Sequence, residues 1–263
     1  MISPNFSVQD MVDARLHWGH KSNKHNPLMD EYIFKNSGGI SIIDLRKTYK
    51  LMQDALSFLY KMAKSGERIL FVGTKENACH IIKETAESTG QYHVTSKWLG
   101  GMLTNWSTIK KSIKRMDDLE QFLQKDSYTK KEKSIFSKDL EKSIKNLSGV
   151  RKMSDLPKVL VVLDAKREVV AITEAKKMNI PIICIVDTNV DPRGIEYPIP
   201  GNDDSEIAIS FYFHHFKDAI LQGLNDGLSS VKNKTLKEAS VEEELVNTFS
   251  QDSDEGKGVK NEH

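Results

Sequence analysis

Hydrophobic positions in this chain come in short unbroken runs, each followed by a longer stretch with helical spacing. The runs are GISIIDL (39–45), RILFVGT (68–74), VLVVLDA (159–165) and IPIICIVDT (180–188). Unbroken apolar runs, rather than alternating ones, are expected where helices cover both faces of a parallel sheet. Between them, Leu51, Ala55, Leu59 and Met62 mark one buried helical stripe, and Val169, Ile172, Ala175 and Met178 a second. Residues 92–94 predict a further short strand. Residues 196–199 predict an edge segment, because Pro198 has no N–H to give to a ladder. The predicted class is α/β, a parallel sheet with helices on both faces.

The alternation breaks at residues 105–150, where the pattern is helical with charged faces. Ile109, Ile113, Met116, Leu119 and Leu123 form one stripe, and Phe136, Leu140, Ile144 and Leu147 another, separated by the polar stretch 125–133. Two such helices predict an antiparallel hairpin inserted as an arm. A last helix, 207–224, carries Phe211, Tyr212, Phe213 and Phe216. The expected organisation is a sheet domain of residues 1–104 and 151–228, an arm of 105–150, and an acidic tail of 229–263 too polar to order itself.

Composition changes this picture only through its distribution. The 263 residues have a net charge of +1, with 38% hydrophobic and 29% charged residues. Within that balance, residues 107–152 hold 13 Lys/Arg against 7 Asp/Glu, while 235–263 hold 3 against 8. A basic middle beside an acidic tail makes nucleic acid a plausible partner. Cys79 and Cys184 are the only cysteines and build neither a disulfide framework nor a CxxC clip. No apolar run approaches the ~20 residues of a membrane span, and the opening residues have no leader pattern, so a cytoplasmic protein is expected.

Three stretches carry candidate chemistry. KWLGGMLTNWSTIKKSIKR (97–115) sets Trp98, Trp106 and a Gly-Gly pair beside Lys97, Lys110, Lys111, Lys114 and Arg115. Such residues stack on bases and neutralise phosphates, although both tryptophans serve equally well as packing where an arm leaves a core. RLHWGHKSNKHNPLM (15–29) brings His17, His20 and His25 together with Lys21 and Lys24. His20 could ligate zinc or magnesium only if carboxylates completed the site, and Asp187 with Asp203 or Asp204 are the candidates; phosphate contact or plain packing is the simpler reading. Asp164 and Asp187, each directly after a strand, could also hold magnesium for phosphoryl transfer, but no GxxxxGK[ST] or GxGxxG loop follows any strand. The PGNDD run predicts a helix start, with Asn202 or Asp203 as N-cap.

Taken together, LHWGHKSNKHNPLM, RILFVGTKENA, WLGGMLTNW, PKVLVVLDAKREVVAITEAKKMNIPIICIVDTNVDP and YPIPGNDD resemble bacterial small-subunit ribosomal protein two, over almost the whole chain to about residue 224. The resemblance implies a flavodoxin-like sheet, a protruding two-helix arm, no catalysis, and a place in the small ribosomal subunit. It also implies contact with ribosomal RNA, here assigned to Lys21, Lys24, Lys97, Trp106, Lys110, Lys111, Lys114 and Arg115. Neighbouring small-subunit proteins are implied as further partners, among them the large multi-OB-fold ribosomal protein one. The competing readings are a magnesium enzyme using Asp164 and Asp187, and a scaffold gripping another protein with its hairpin.

Overall fold

The computed structural model describes residues 6–124 and 128–255, with side chains up to Ser230 and at Lys232. Five parallel strands form the central sheet: β4 (Ile69–Val72), β5 (Tyr92–Val94), β6 (Val159–Leu163), β7 (Ile182–Val186) and β8 (Tyr197–Pro200), in the spatial order β5-β4-β6-β7-β8. Relabelled by appearance within this sheet, the order is 2-1-3-4-5, the doubly wound order of flavodoxin-like folds. As expected, β8 with Pro198 lies at the edge.

The unbroken apolar runs follow from two-sided burial. In β4, Ile69 and Phe71 face one core while Leu70 and Val72 face the other, and β6 and β7 alternate in the same way. On the first face pack α2 (Leu45–Lys64), α3 (Glu76–Ser88) and α7 (Glu206–Glu255), which brings in Tyr212, Phe213 and Phe216. The second face is covered by α6 (Val169–Lys177), through Ala171, Ile172 and Ala175, and by the base of the insertion.

One predicted strand of this sheet lies elsewhere. β3 (Ile40–Ile43) pairs antiparallel with β1 (Trp18–Lys21) and β2 (Ile33–Ser37) in a separate three-stranded sheet. Only one face of β3 is fully buried, through Ser41 and Ile43. Gly38 and Gly39, with φ of +59° and +77°, turn it straight back onto β2; such positive angles suit glycine. Sequence length alone could not separate this half-covered strand from a fully covered one.

The insertion consists of α4 (Trp106–Gln124) and α5 (Lys130–Leu147). Their contacts run in opposite senses along the chain, with Phe122 beside Phe136 at 6.0 Å and Arg115 beside Asp139 at 3.8 Å. Ile109, Ile113, Met116 and Leu147 bury into the second core, rooting the hairpin on the sheet body. α5 begins inside the stretch read as polar linker, because Thr129 and Glu132 form a reciprocal capping box. Residues 125–127 of that stretch fall outside the described residues.

α7 does not stop near residue 224 but continues as helical backbone to Glu255, through a segment whose Leu, Lys and Glu residues are good helix formers. Of the segment read as tail, residues 256–263 lie outside the described ones. No helix among the described residues is long and apolar enough to cross a membrane.

Candidate functional site

All five strands of the sheet end at one edge, where the loops after β4, β6, β7 and β8 bring together a charged cluster. Gly73 follows β4 and has no room for a side chain, since a Cβ there would collide with Ile82 and Leu163. The tight passage delivers Lys75, whose Nζ lies 3.0 Å from Asp164 Oδ2, 2.7 Å from Asp203 Oδ1 and 2.8 Å from Asp204 Oδ1. Burial pulls the Lys75 pKa down, but the charge and hydrogen bonds of Asp203, Asp204 and Asp164 overcome this and hold the ammonium protonated.

Asp164 occupies the left-handed region at φ +65°, unusual for a residue with a Cβ. Its Oδ1 accepts from the backbone N–H of Lys166 and of Arg167, both at 3.0 Å, while Oδ2 faces Lys75. It is therefore a loop cap and an ion-pair partner at once. Beside it, buried Glu168 accepts from the Thr74 N–H at 2.9 Å and hydroxyl at 2.6 Å, and burial raises its pKa.

On the other side of the edge, Asp187 is 1% exposed and its Oδ2 lies 2.9 Å from His20 Nδ1. The other imidazole nitrogen, Nε2, lies 3.5 Å from Asp204 Oδ2. The Asp187 hydrogen bond outweighs burial and raises the His20 pKa. Asp203 is 1% exposed; burial first, and the neighbouring Asp187 charge second, push its pKa up to about 7. One ligating atom from each of His20, Asp187, Asp203 and Asp204 lies within 4.8 Å of the others. The sequence-predicted trio His20, Asp187 and Asp203 thus meets in space. Lys75 was missed as its centre, because a lone lysine after a lone glycine carries no motif.

The PGNDD turn works differently from the expected helix cap. α7 begins at Glu206, while Asn202 Oδ1 accepts from the N–H of Asp204 and Ser205 at 2.9 and 3.1 Å. Asn202 thus closes an Asx turn ahead of the helix and aims Asp203 and Asp204 at Lys75.

The residues assigned to RNA contact fall into separate groups. Lys110, Lys111, Lys114 and Arg115 are all exposed on α4, on the side away from the buried Ile109, Ile113 and Met116. Trp106 stands at the root of that helix, half-buried, with Lys110 Nζ 5.9 Å from its ring centre and its Nε1 donating to the Ser154 carbonyl at 3.5 Å. Lys97 is exposed in the loop from β5 to α4. Lys21 and Lys24 are exposed on a different part of the fold, at and just after β1. Trp98 belongs to the packing reading: it is buried in the second core and donates from Nε1 to Glu174 at 3.1 Å.

The crevice at the carboxyl edge of the parallel sheet is thus spanned by the protein's own ion pairs, and a hairpin with a basic face stands beside it. Residues 11–223 match the family described as Ribosomal protein S2. The chain is 46% identical over 231 residues to small ribosomal subunit protein uS2 of Anaplasma phagocytophilum, covering 86% of this chain and 78% of the relative. It is 45% identical over 231 residues to the uS2 protein of Rickettsia felis, with the same coverage. Against that of Anaplasma marginale it is 44% identical over 250 residues, covering 93% of this chain and 76% of the relative. The chain belongs to the ribosomal protein S2 family. It is a structural, non-catalytic protein of the small ribosomal subunit, of the kind found in bacteria.

Proposed function

We propose that the protein binds small-subunit ribosomal RNA directly, through the exposed face of α4 formed by Lys110, Lys111, Lys114 and Arg115, with Trp106 at its root and Lys97 beside it. Lys21 and Lys24 form a second contact on the small sheet. The observation that carries this reading is the gathering of four cations on one side of α4, opposite its buried stripe. Among the described residues, only Arg115 of the four has an acidic neighbour across the hairpin, Asp139 at 3.8 Å, so most of this charge is available to phosphates. The sheet body acts as a rigid mount and the insertion of 105–150 as the RNA-facing arm. Family membership supports a further role in docking the multi-OB-fold ribosomal protein one.

The test is incorporation. Lys111→Glu combined with Arg115→Glu reverses two charges without touching the core, and is expected to reduce co-sedimentation with small subunits in a sucrose gradient, the more so at higher salt. Incorporation equal to the unaltered protein at every salt would refute this face.

A second reading has its own observation. The imidazole of His20 and the carboxylates of Asp187, Asp203 and Asp204 converge closely enough to share one cation, and this mixed nitrogen and oxygen set suits zinc better than magnesium. Lys75 engages Asp203 and Asp204 through their Oδ1 atoms, while Asp204 Oδ2 faces His20. Elemental analysis of purified protein is expected to find zinc at about one per chain, lost in His20→Ala; protein free of metal would remove this reading.

A further inference from the structure

Glu174 lies within α6, a helix packed flat on the sheet, yet its carboxylate is directed at a loop of another part of the chain. Its Oε1 accepts from Trp98 Nε1 at 3.1 Å and from the Gly101 N–H at 2.7 Å. Its Oε2 accepts from the Leu103 N–H at 3.0 Å, the Thr104 N–H at 3.1 Å and the Thr104 hydroxyl at 3.0 Å. A carboxylate has about four lone-pair sites, so these five donors saturate it. The group is 6% exposed, and burial would raise its pKa. The donors from Thr104, Trp98, Leu103 and Gly101 outweigh burial and hold it below the usual carboxylate range, ionised.

The loop it holds, residues 95–105, joins β5 to α4 outside any ladder; its own turns pair the Met102 N–H with the Leu99 carbonyl and the Asn105 N–H with the Gly101 carbonyl, and the N–H groups of Gly101, Leu103 and Thr104 are left to Glu174. Gly101 takes φ +87° in it, and a loop so turned needs an acceptor inside the curve. Glu174 is that acceptor. Its last donor, Thr104, stands two residues before the first residue of α4, and the loop also carries Lys97.

We propose that Glu174 is a positioning residue of the RNA-binding surface: beside the apolar root of the hairpin, its carboxylate holds the loop from which α4 leaves the sheet body, and so sets where Lys97, Lys110, Lys111, Lys114 and Arg115 stand. Glu174 itself touches no RNA. The inference rests on the arm-face reading above and adds to it a single internal anchor. Glutamine at this position has the right shape but one acceptor oxygen, and its amide N–H groups oppose the donors of the loop.

The experiment is a double-mutant cycle on the full-length chain, titrated against small-subunit ribosomal RNA transcribed in vitro, with the indole N–H signal of Trp98 followed by NMR. Glu174→Gln is expected to shift that signal and to weaken RNA binding by about tenfold, because the loop and the charges beside it must then be ordered when RNA binds. The Lys111→Glu, Arg115→Glu background is expected to bind weakly and to show a clearly smaller further loss when Glu174→Gln is added, since an anchor acts only through the charges it places and of these only Lys97, Lys110 and Lys114 remain. Should Glu174→Gln not fold, Trp98→Phe and Thr104→Val, each removing side-chain donors alone, are expected to give smaller losses that again shrink in the charge-reversed background. Losses that simply add, or wild-type affinity in the folded variant, would overturn the anchor and leave the arm face standing. Unchanged affinity on charge reversal alone would overturn both.

Discussion

Lys75 Nζ lies 3.0 Å from Asp164 Oδ2, an ion pair joining the loops that follow the first and third strands of the sheet. In doubly wound folds the crevice at this point, where the strand order reverses, is where ligands bind. Here Lys75 is also held by Asp203 and Asp204, and Arg167 Nε donates to Thr74 Oγ1 at 2.8 Å across the same opening. The fold's customary ligand site is thereby converted into a buttress between three loops.

Removing the Lys75 charge should therefore cost stability rather than chemistry. Lys75→Met leaves Asp164 and the buried Asp203 without their cation, and unfolding in urea is expected to become easier by about 3 kcal/mol. Adding Asp203→Asn should restore part of that loss, because the two residues are in contact. Additive losses would show that the cluster is not acting as a unit.

The closeness of α2 and α7 makes a second expectation. A Cβ on Gly223 would stand 2.5 Å from the Tyr60 carbonyl oxygen, and one on Gly227 the same distance from that of Lys64. Gly→Ala in an ordinary helix interior is favourable. Here Gly223→Ala is expected to destabilise by about 1–3 kcal/mol through overpacking, read as a lowered denaturation midpoint. A neutral or raised midpoint would mean that the helices separate freely.

Salt dependence tests the arm residue by residue. Lys110→Ala and Lys114→Ala remove exposed phosphate-binding charges, and each is expected to flatten the slope of log affinity against log salt by about one unit, with little change in melting temperature. The same alterations made at Lys83, exposed on α3, should leave the slope as it was.

The Glu174 anchor has a pH signature of its own. Its pKa is lowered in the folded protein, so the stabilisation it gives is present above the ordinary carboxylate value of about 4.3 and fades as pH falls through that value toward the folded one. Tryptophan emission is expected to change on acidification in this window, reporting release of Trp98. The Glu174→Gln protein should lack that step, and an identical acid transition in both would assign the change to other carboxylates.

Residue order alone determined the fold class, because two-sided burial leaves unbroken apolar runs and an inserted hairpin leaves two helical stripes, and both patterns are local. It also supplied His20, Asp187 and Asp203, since a carboxylate directly after a parallel strand must lie at one common edge. It could not separate β3 from the central sheet, for a four-residue apolar run reads alike whether one face or two are covered. Nor could it find Lys75 or Glu174. The lysine is isolated in sequence and acquires its meaning from acids about 90 to 130 residues away, while the glutamate sits in an ordinary amphipathic helix some 70 residues from the loop it holds. Only the packing of α6 and of the strand loops on one sheet brings those charges within hydrogen-bond distance, and at such separations no local pattern records it.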